Sequence, residues 1–274
     1  MSTRVGLWGL VFMMVLVPWL KTKCQTTAVG ARSVSLAGIS AGLEDAWAAA
    51  NNPAGLARYN HVSLATSLEQ RFLMKELGYY AIAVSVQAGK GCLGIFTMFS
   101  GYQSFIDQKV SLGYGRLFGD NVLAGISLVY VFQKAGNETR PVHQVSYELG
   151  TIVVLSKKVN LAFATFNPFQ LYYKSKDYAT LPSIFKLGLS FQYSPSLLIL
   201  TECEKDLDLP PNLKIGIEYI FREIFFIRGG IRVFPASWSF GASIRHHRFL
   251  FEFSSYYHQY LGFTPQVSLQ FDLK

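Results

Sequence analysis

The sequence predicts an all-β protein: a transmembrane antiparallel β-barrel of about 14 strands with a small N-terminal hatch or plug segment. Three observations carry this expectation. Only 15% of the 274 residues are charged while 50% are apolar, well below the roughly one-quarter charged content of an average soluble domain. From about residue 61 to the C-terminus, apolar and polar side chains alternate with period two, the spacing of a strand with two unlike faces. The alternating runs are about 9–13 residues long, which matches a tilted membrane-crossing strand better than the five or six residues of a typical soluble one. The 22 Phe and 15 Tyr suit a pleated surface and the 23 Gly suit bends, and this composition excludes a disordered chain or a coiled coil.

Taken in order, residues 1–24 form the first element. Arg4 precedes an apolar run from Val5 to Leu20, the layout of a cleaved secretory signal, with cleavage expected near Cys24–Gln25. The run is shorter than the ~20 apolar residues of a spanning helix, and Lys23 is a poor neighbour for a lipidated Cys24. Removing Arg4, Lys21 and Lys23 from the formal charge of +8 leaves +5. The remaining cations are scattered rather than gathered on one face, so no nucleic-acid partner is expected. Cys92 and Cys203 sit in separate strand-like runs and provide neither a disulfide framework nor a metal-ligand spacing.

Residues 25–59 are rich in small side chains and lack alternation. Gly42–Ala50 reads as a short helix that ends before Pro53. Such a segment is most simply a hatch in the periplasmic mouth, with Asp45, Asn52, Pro53 and Gly55 as its marker residues; the alternative is a disordered periplasmic arm.

Residues 60–274 then supply the barrel. Strands are expected over approximately 61–69, 76–87, 90–100, 105–117, 121–133, 142–155, 158–166, 184–192, 196–204, 211–221, 224–233, 237–246, 248–256 and 265–273. Connections such as 87–90, 118–121, 156–158 and 246–248 are tight. Those at 70–75, 134–140, 167–183, 205–210 and 256–264 are longer and more polar. Short turns at one end and longer loops at the other is how an outer-membrane barrel is arranged.

Placing the apolar face toward lipid turns Asp107, Lys109, Glu148, Lys186, Lys214, Glu218, Arg228, Arg232, Arg245 and Glu252 into the lumen, together with many Gly and Ser residues. Mixed signs on neighbouring strands allow pairing. Small, mixed walls suit a filled interior better than a wide aqueous pore. Leu123, Val129 and Val131 also point inward, and with Tyr172 and Tyr173 of the 167–183 loop they form a candidate apolar pocket.

The N-terminal residues carry a resemblance. Gly30-Ala31-Arg32-Ser33 with Leu36-Ala37-Gly38, then Glu44-Asp45 and Asn51-Asn52-Pro53-Ala54-Gly55-Leu56, resemble the opening of FadL-type outer-membrane proteins. More closely, they are similar to the PorV/PorQ family of type IX secretion proteins in Bacteroidetes. Phe226-Ile227-Arg228-Gly229-Gly230 and Tyr257–Pro265 ahead of the final strand have the same character. The resemblance implies a fourteen-stranded barrel with a hatch in the outer membrane of a Gram-negative bacterium. It further implies one of two roles: a non-enzymatic partner of type IX secretion components or their cargo, or a FadL-like transporter of hydrophobic solutes. The partners so implied are outer-membrane lipid and either secretion proteins or a hydrophobic solute.

No Gly-rich phosphate loop, G-x-S-x-G or His-Glu-x-x-His motif occurs in the chain. No catalytic, metal or cofactor residues are therefore assigned, and the main expectation is the secretion partner, with solute transport as the alternative.

Overall fold

A computed structural model describes residues 28–59, 61–102, 105–136, 140–169 and 181–273. The expected signal segment and the tyrosines at 172 and 173 lie outside these residues.

Fourteen antiparallel strands close into one barrel. They are β1 (Val62–Gln70), β2 (Gly78–Ala88), β3 (Gly91–Tyr102), β4 (Phe105–Phe118), β5 (Val122–Ala135), β6 (Val142–Ser156) and β7 (Val159–Phe166), followed by β8 (Ile184–Ser194), β9 (Leu197–Asp206), β10 (Asn212–Phe221), β11 (Phe225–Arg232), β12 (Ser237–His246), β13 (Phe249–His258) and β14 (Gly262–Leu273). Each strand pairs with its sequence neighbours, and β1 pairs with β14 from Val62↔Leu273 to Glu69↔Gln266. Closure leaves no edge strand, so every backbone donor and acceptor in the wall has a partner available, as hydrocarbon demands.

Period-two patterning decides which side chains face out. In β10, Leu213, Ile215, Ile217 and Tyr219 stay about half exposed, while Asn212, Lys214, Gly216 and Glu218 alternate with them on the buried face. The same division holds in β14, where Val267 is exposed beside the buried Gln266, Ser268 and Gln270. A continuous apolar belt of this size has no place in water. Aromatic rings gather toward both rims of the belt: Trp238 stacks on Tyr257 at 5.3 Å, and Phe249 meets Phe271 at 4.8 Å at the opposite end. Rings of this amphipathic size anchor a barrel at the two interfaces.

Strand boundaries follow the sequence pattern closely except at β14, which begins at Gly262 rather than near 265. The β13–β14 connection is therefore tight, contrary to the long loop expected over 256–264. Pro265 pairs with Ser255 but lies beyond the last β1–β14 pair. The strand's other side is unpaired there, where a residue without an N–H is tolerated. At the end where the N-terminal segment joins β1, all connections are two or three residues long. At the other end the 167–183 connection is the longest.

Residues 28–59 occupy the lumen. Helix α1 (Ala31–Ser35) lies against β11, β12, β13 and β14, and helix α2 (Ala48–Asn51) with the 3-10 turn Pro53–Arg58 lies against β3, β4, β5 and β6. The second helix is shorter than the run over 42–50 suggests. Asp45 Oδ1 accepts the Trp47 amide at 3.0 Å, a local turn that competes with helix and delays its start.

Candidate functional site

The N-terminal segment and the wall behind it define the site. Two consecutive asparagines fix the segment's shape. Asn51 Oδ1 accepts the Val29 amide at 2.9 Å and its Nδ2 donates to the Val29 carbonyl at 2.8 Å, closing the chain on itself. Asn52 Nδ2 donates to the Ala41 carbonyl, and its Oδ1 accepts the Ala54 amide at 3.0 Å, capping the turn that Pro53 begins. Gly55 packs under the Leu43 carbonyl, where a Cβ would sit 2.5 Å away. Asp45, Asn52, Pro53 and Gly55 are thus all buried within the folded segment.

Inward-facing glycines receive this segment. Gly94, Gly113, Gly115, Gly125, Gly150, Gly188, Gly216, Gly230 and Gly241 all face it around the barrel. At Gly230 a Cβ would come within 2.6 Å of the Leu36 carbonyl carbon, and at Gly125 it would collide with Pro53. Backbone meets backbone at these points, which only glycine allows. Leu36, Ile39 and Leu43 pack on Leu200, while Ala41 and Ala54 pack on Leu123 and Ile152.

Charges hold the segment in place. Arg32 makes a bidentate pair with Glu218, at 3.0 and 2.8 Å. Glu218 also accepts from Arg228, which reaches Glu252 at 3.0 Å. Lys214 Nζ contacts Glu202 and Glu204 at 2.8 Å each and donates to the Gly38 carbonyl at 3.0 Å. Glu202 accepts the Ser40 and Ala41 amides at 2.8 Å, and Lys186 donates to Ser40 Oγ at 2.8 Å. Lys109 pairs with Glu148 at 2.8 Å, and Gln133 donates to Asp107 at 3.2 Å. These charges are nearly all engaged, which is how groups so deeply desolvated are tolerated. Arg245 is exposed at the mouth, 5.5 Å from the Phe226 ring. Burial pushes the Asp45 carboxyl up to about 6, partly offset by Arg32.

Arg32, Glu202 and Glu204 complete these networks although the alternation did not mark them. The inward face of β9 begins with Leu198 and Leu200, which hides its polar side, and Arg32 lies where no period exists. The candidate apolar pocket divides in two. Leu123 sits with Ile152, Ala54 and Ala41, whereas Val129 and Val131 pack with Phe166 and Ile184. Beside them, the space next to Lys109 and Glu148 shrinks to about 20 Å³, room for about one water.

Larger spaces lie on the opposite wall, one on each side of α1. An outer cavity of about 240 Å³ is lined by Val34, Ala37 and Gly38 of the N-terminal segment and by Phe72, Lys214, Arg232, Pro235, Tyr256 and Leu261 near the longer connections. An inner cavity of about 180 Å³ is lined by Arg32, Asp45, Trp47 and Tyr59 and by Glu218, Phe226, Arg245 and Leu250 near the tight turns. The 31–38 stretch is the partition between them. Its bonds to the wall on that side are the Ala31 amide to Ser268 Oγ at 3.2 Å, the Ala37 amide to Ser239 Oγ at 2.8 Å, Ser239 Oγ to the Ser35 carbonyl at 2.8 Å, Lys214 Nζ to the Gly38 carbonyl at 3.0 Å, and the Arg32–Glu218 pair.

No protein-family model matches the chain, and no curated protein matches it in sequence. Solved structures do match in fold. The Ralstonia pickettii toluene transporter TbuX superposes with a TM-score of 0.70 at 12% identity, over 91% of this chain and 100% of that one. The CymD monoaromatic hydrocarbon channel matches at 0.67 and 13% identity, over 90% and 98%. A Pseudomonas aeruginosa FadL homologue matches at 0.64 and 11%, over 90% and 98%. The fold is thus the fourteen-stranded FadL-type barrel.

Proposed function

We propose that this protein is a non-enzymatic outer-membrane barrel of a Gram-negative bacterium that passes small hydrophobic solutes through its lumen. Residues 1–24 act as its signal peptide and 25–59 as its hatch. The observation that carries the reading is the pair of cavities stacked on either side of α1 along the β10–β13 wall. A solute descending from the outer cavity meets one short partition, and shifting that partition joins the two spaces. Apolar surface from Val34, Ala37, Phe72 and Leu261 on the outer side, and from Phe226 and Leu250 on the inner side, lies among the paired charges of the two linings and gives a solute contact along the path. A toluene transporter and a monoaromatic hydrocarbon channel share the architecture, which supports the solute class. In this reading Asp45, Asn52, Pro53 and Gly55 shape the hatch, and the buried ion pairs at Lys109, Glu148, Lys186, Lys214, Glu218, Arg228 and Glu252 keep it seated. The test is uptake of radiolabelled toluene and longer apolar solutes by cells with and without the gene. Faster uptake by the expressing cells is expected; identical uptake across the panel removes the reading.

A second reading, a partner barrel of the PorV/PorQ type in protein secretion, is favoured by the extent to which residues 28–59 fill the lumen. Affinity purification in mild detergent that recovers secretion proteins would support it. Recovery of the barrel alone, with secretion unchanged in a deletion strain, would set it aside.

A further inference from the structure

We infer that the outer cavity selects small organic anions with an apolar body, such as an aromatic carboxylate, and that the Arg232 guanidinium takes the anionic head. This deepens the transport reading and rests on it for its biological setting.

The other cations of the cavity are already committed. Arg71 Nε donates to Glu69 at 2.8 Å and Nη1 to the Tyr79 hydroxyl at 3.1 Å. Lys214 is held by Glu202 and Glu204. Arg232 differs: Nε donates to Ser237 Oγ at 2.6 Å and the guanidinium lies 5.5 Å from the Tyr256 ring centre, but no carboxylate is within ion-pair distance among the described residues. Of the two acids of the lining, Glu69 pairs with Arg71, and Glu204 pairs with Lys214, which it shares with Glu202, and meets Lys186 at 4.0 Å. The cavity therefore keeps one positive charge in excess, on a partly buried side chain.

Geometry favours a carboxylate over a neutral guest. A guanidinium offers a planar fork of N–H donors that fits a carboxylate with two parallel bonds. The Ser237 bond and the Tyr256 ring orient that fork and leave the Nη groups without a protein acceptor among the described residues. A neutral hydrocarbon filling the same space makes no hydrogen bond to them, so a carboxylate is held there more tightly than a hydrocarbon that passes through. His258 also lines the cavity, and its Nδ1 accepts the Tyr260 and Leu261 amides at 3.3 Å.

Size narrows the class further. An apolar cavity of about 150 Å³ takes a benzene ring, so the outer cavity of about 240 Å³ has room for a benzoate-sized body. Val34, Ala37, Phe72, Pro235 and Leu261 supply the apolar wall for the ring.

The experiment is isothermal titration calorimetry of the full mature barrel in detergent with benzoate, and with benzamide as the neutral isostere. Arg232→Gln should weaken benzoate binding by about tenfold or more, leave benzamide within about threefold, and Arg232→Lys should recover part of the loss. Folding of each variant is checked by its heat-modifiable gel mobility. Absence of benzoate binding, or equal binding by the native protein and the Gln variant, overturns the inference. Liposome flux separates the two ideas. Toluene flux without benzoate binding leaves transport standing and removes the anion site. Arg232-dependent benzoate binding with no flux of any solute keeps the site and removes transport.

Discussion

Asp45 holds a carboxyl where a carboxylate is poorly tolerated. One oxygen accepts the Trp47 amide, the other has no hydrogen-bond partner among the described residues, and burial lifts its pKa from 3.8 to about 6. For an acid whose folded value is raised, the neutral form's contribution is complete below the free value and is lost as pH climbs through the folded one. The hatch should therefore be best seated below pH 4 with respect to this group, and should loosen progressively to just above pH 6. Asp45→Asn keeps an acceptor for Trp47 and removes the titration. We expect it to strengthen hatch protection at pH 7.5 by about 2–3 kcal/mol and to leave it unchanged at pH 4. Amide hydrogen exchange of residues 28–58 measures this, and protection that is flat with pH in the native protein would contradict it. Asp45 itself was visible in the sequence as an acid within a small-residue stretch. Its isolation was not, because the burial comes from β-strands two hundred residues further on.

At the scale of the element, alternation made the strands legible because a wall between lipid and a polar interior leaves each side chain only two choices. Two consequences are open to test. Ile217 is half exposed in the middle of β10, so Ile217→Arg places a charge in hydrocarbon and should cost about 2–4 kcal/mol. Reversible unfolding from phospholipid vesicles reads this, and an unchanged stability would place that face away from lipid. Gly230, one position from outward Ile231, meets the backbone of Leu36 and Ala37. Gly230→Val should leave the barrel folded but unseat α1, with a loss of about 1–3 kcal/mol seen as protease cleavage within residues 28–58. Glycines at inward positions suggested a filled lumen from the sequence alone. What the sequence did not yield was the start of β14 at Gly262, since Pro265 reads as the first residue of a strand until its unpaired side is known. The late start of α2 was hidden for a similar reason: a side-chain turn at Asp45 outweighs the helical composition of 42–50.

For the whole molecule, the barrel was readable and the cavities were not. Ion pairs such as Lys214 with Glu202, or Arg32 with Glu218, join elements whose spacing no period encodes, and the space they leave is a remainder after packing. Leu123, Val129 and Val131 fall in two packed clusters rather than one pocket, and the open volume lies on the opposite wall beside Arg232. Filling of the lumen by residues 28–59 predicts almost no ionic conductance for the native protein in planar bilayers. Deleting residues 28–58 should raise single-channel conductance by an order of magnitude or more, toward that of an open cylinder with fourteen staves. A deletion variant as silent as the native barrel would mean that something other than this segment blocks the lumen.

The stopper precedes every stave in the chain, yet it leans on early staves, β3 to β6, through the 53–58 turn, and on the last, β11 to β14, through α1. It joins β1 directly, one of the two staves at the seam, so pairing β1 with β14 closes the ring around a segment whose contacts come from both halves of the wall.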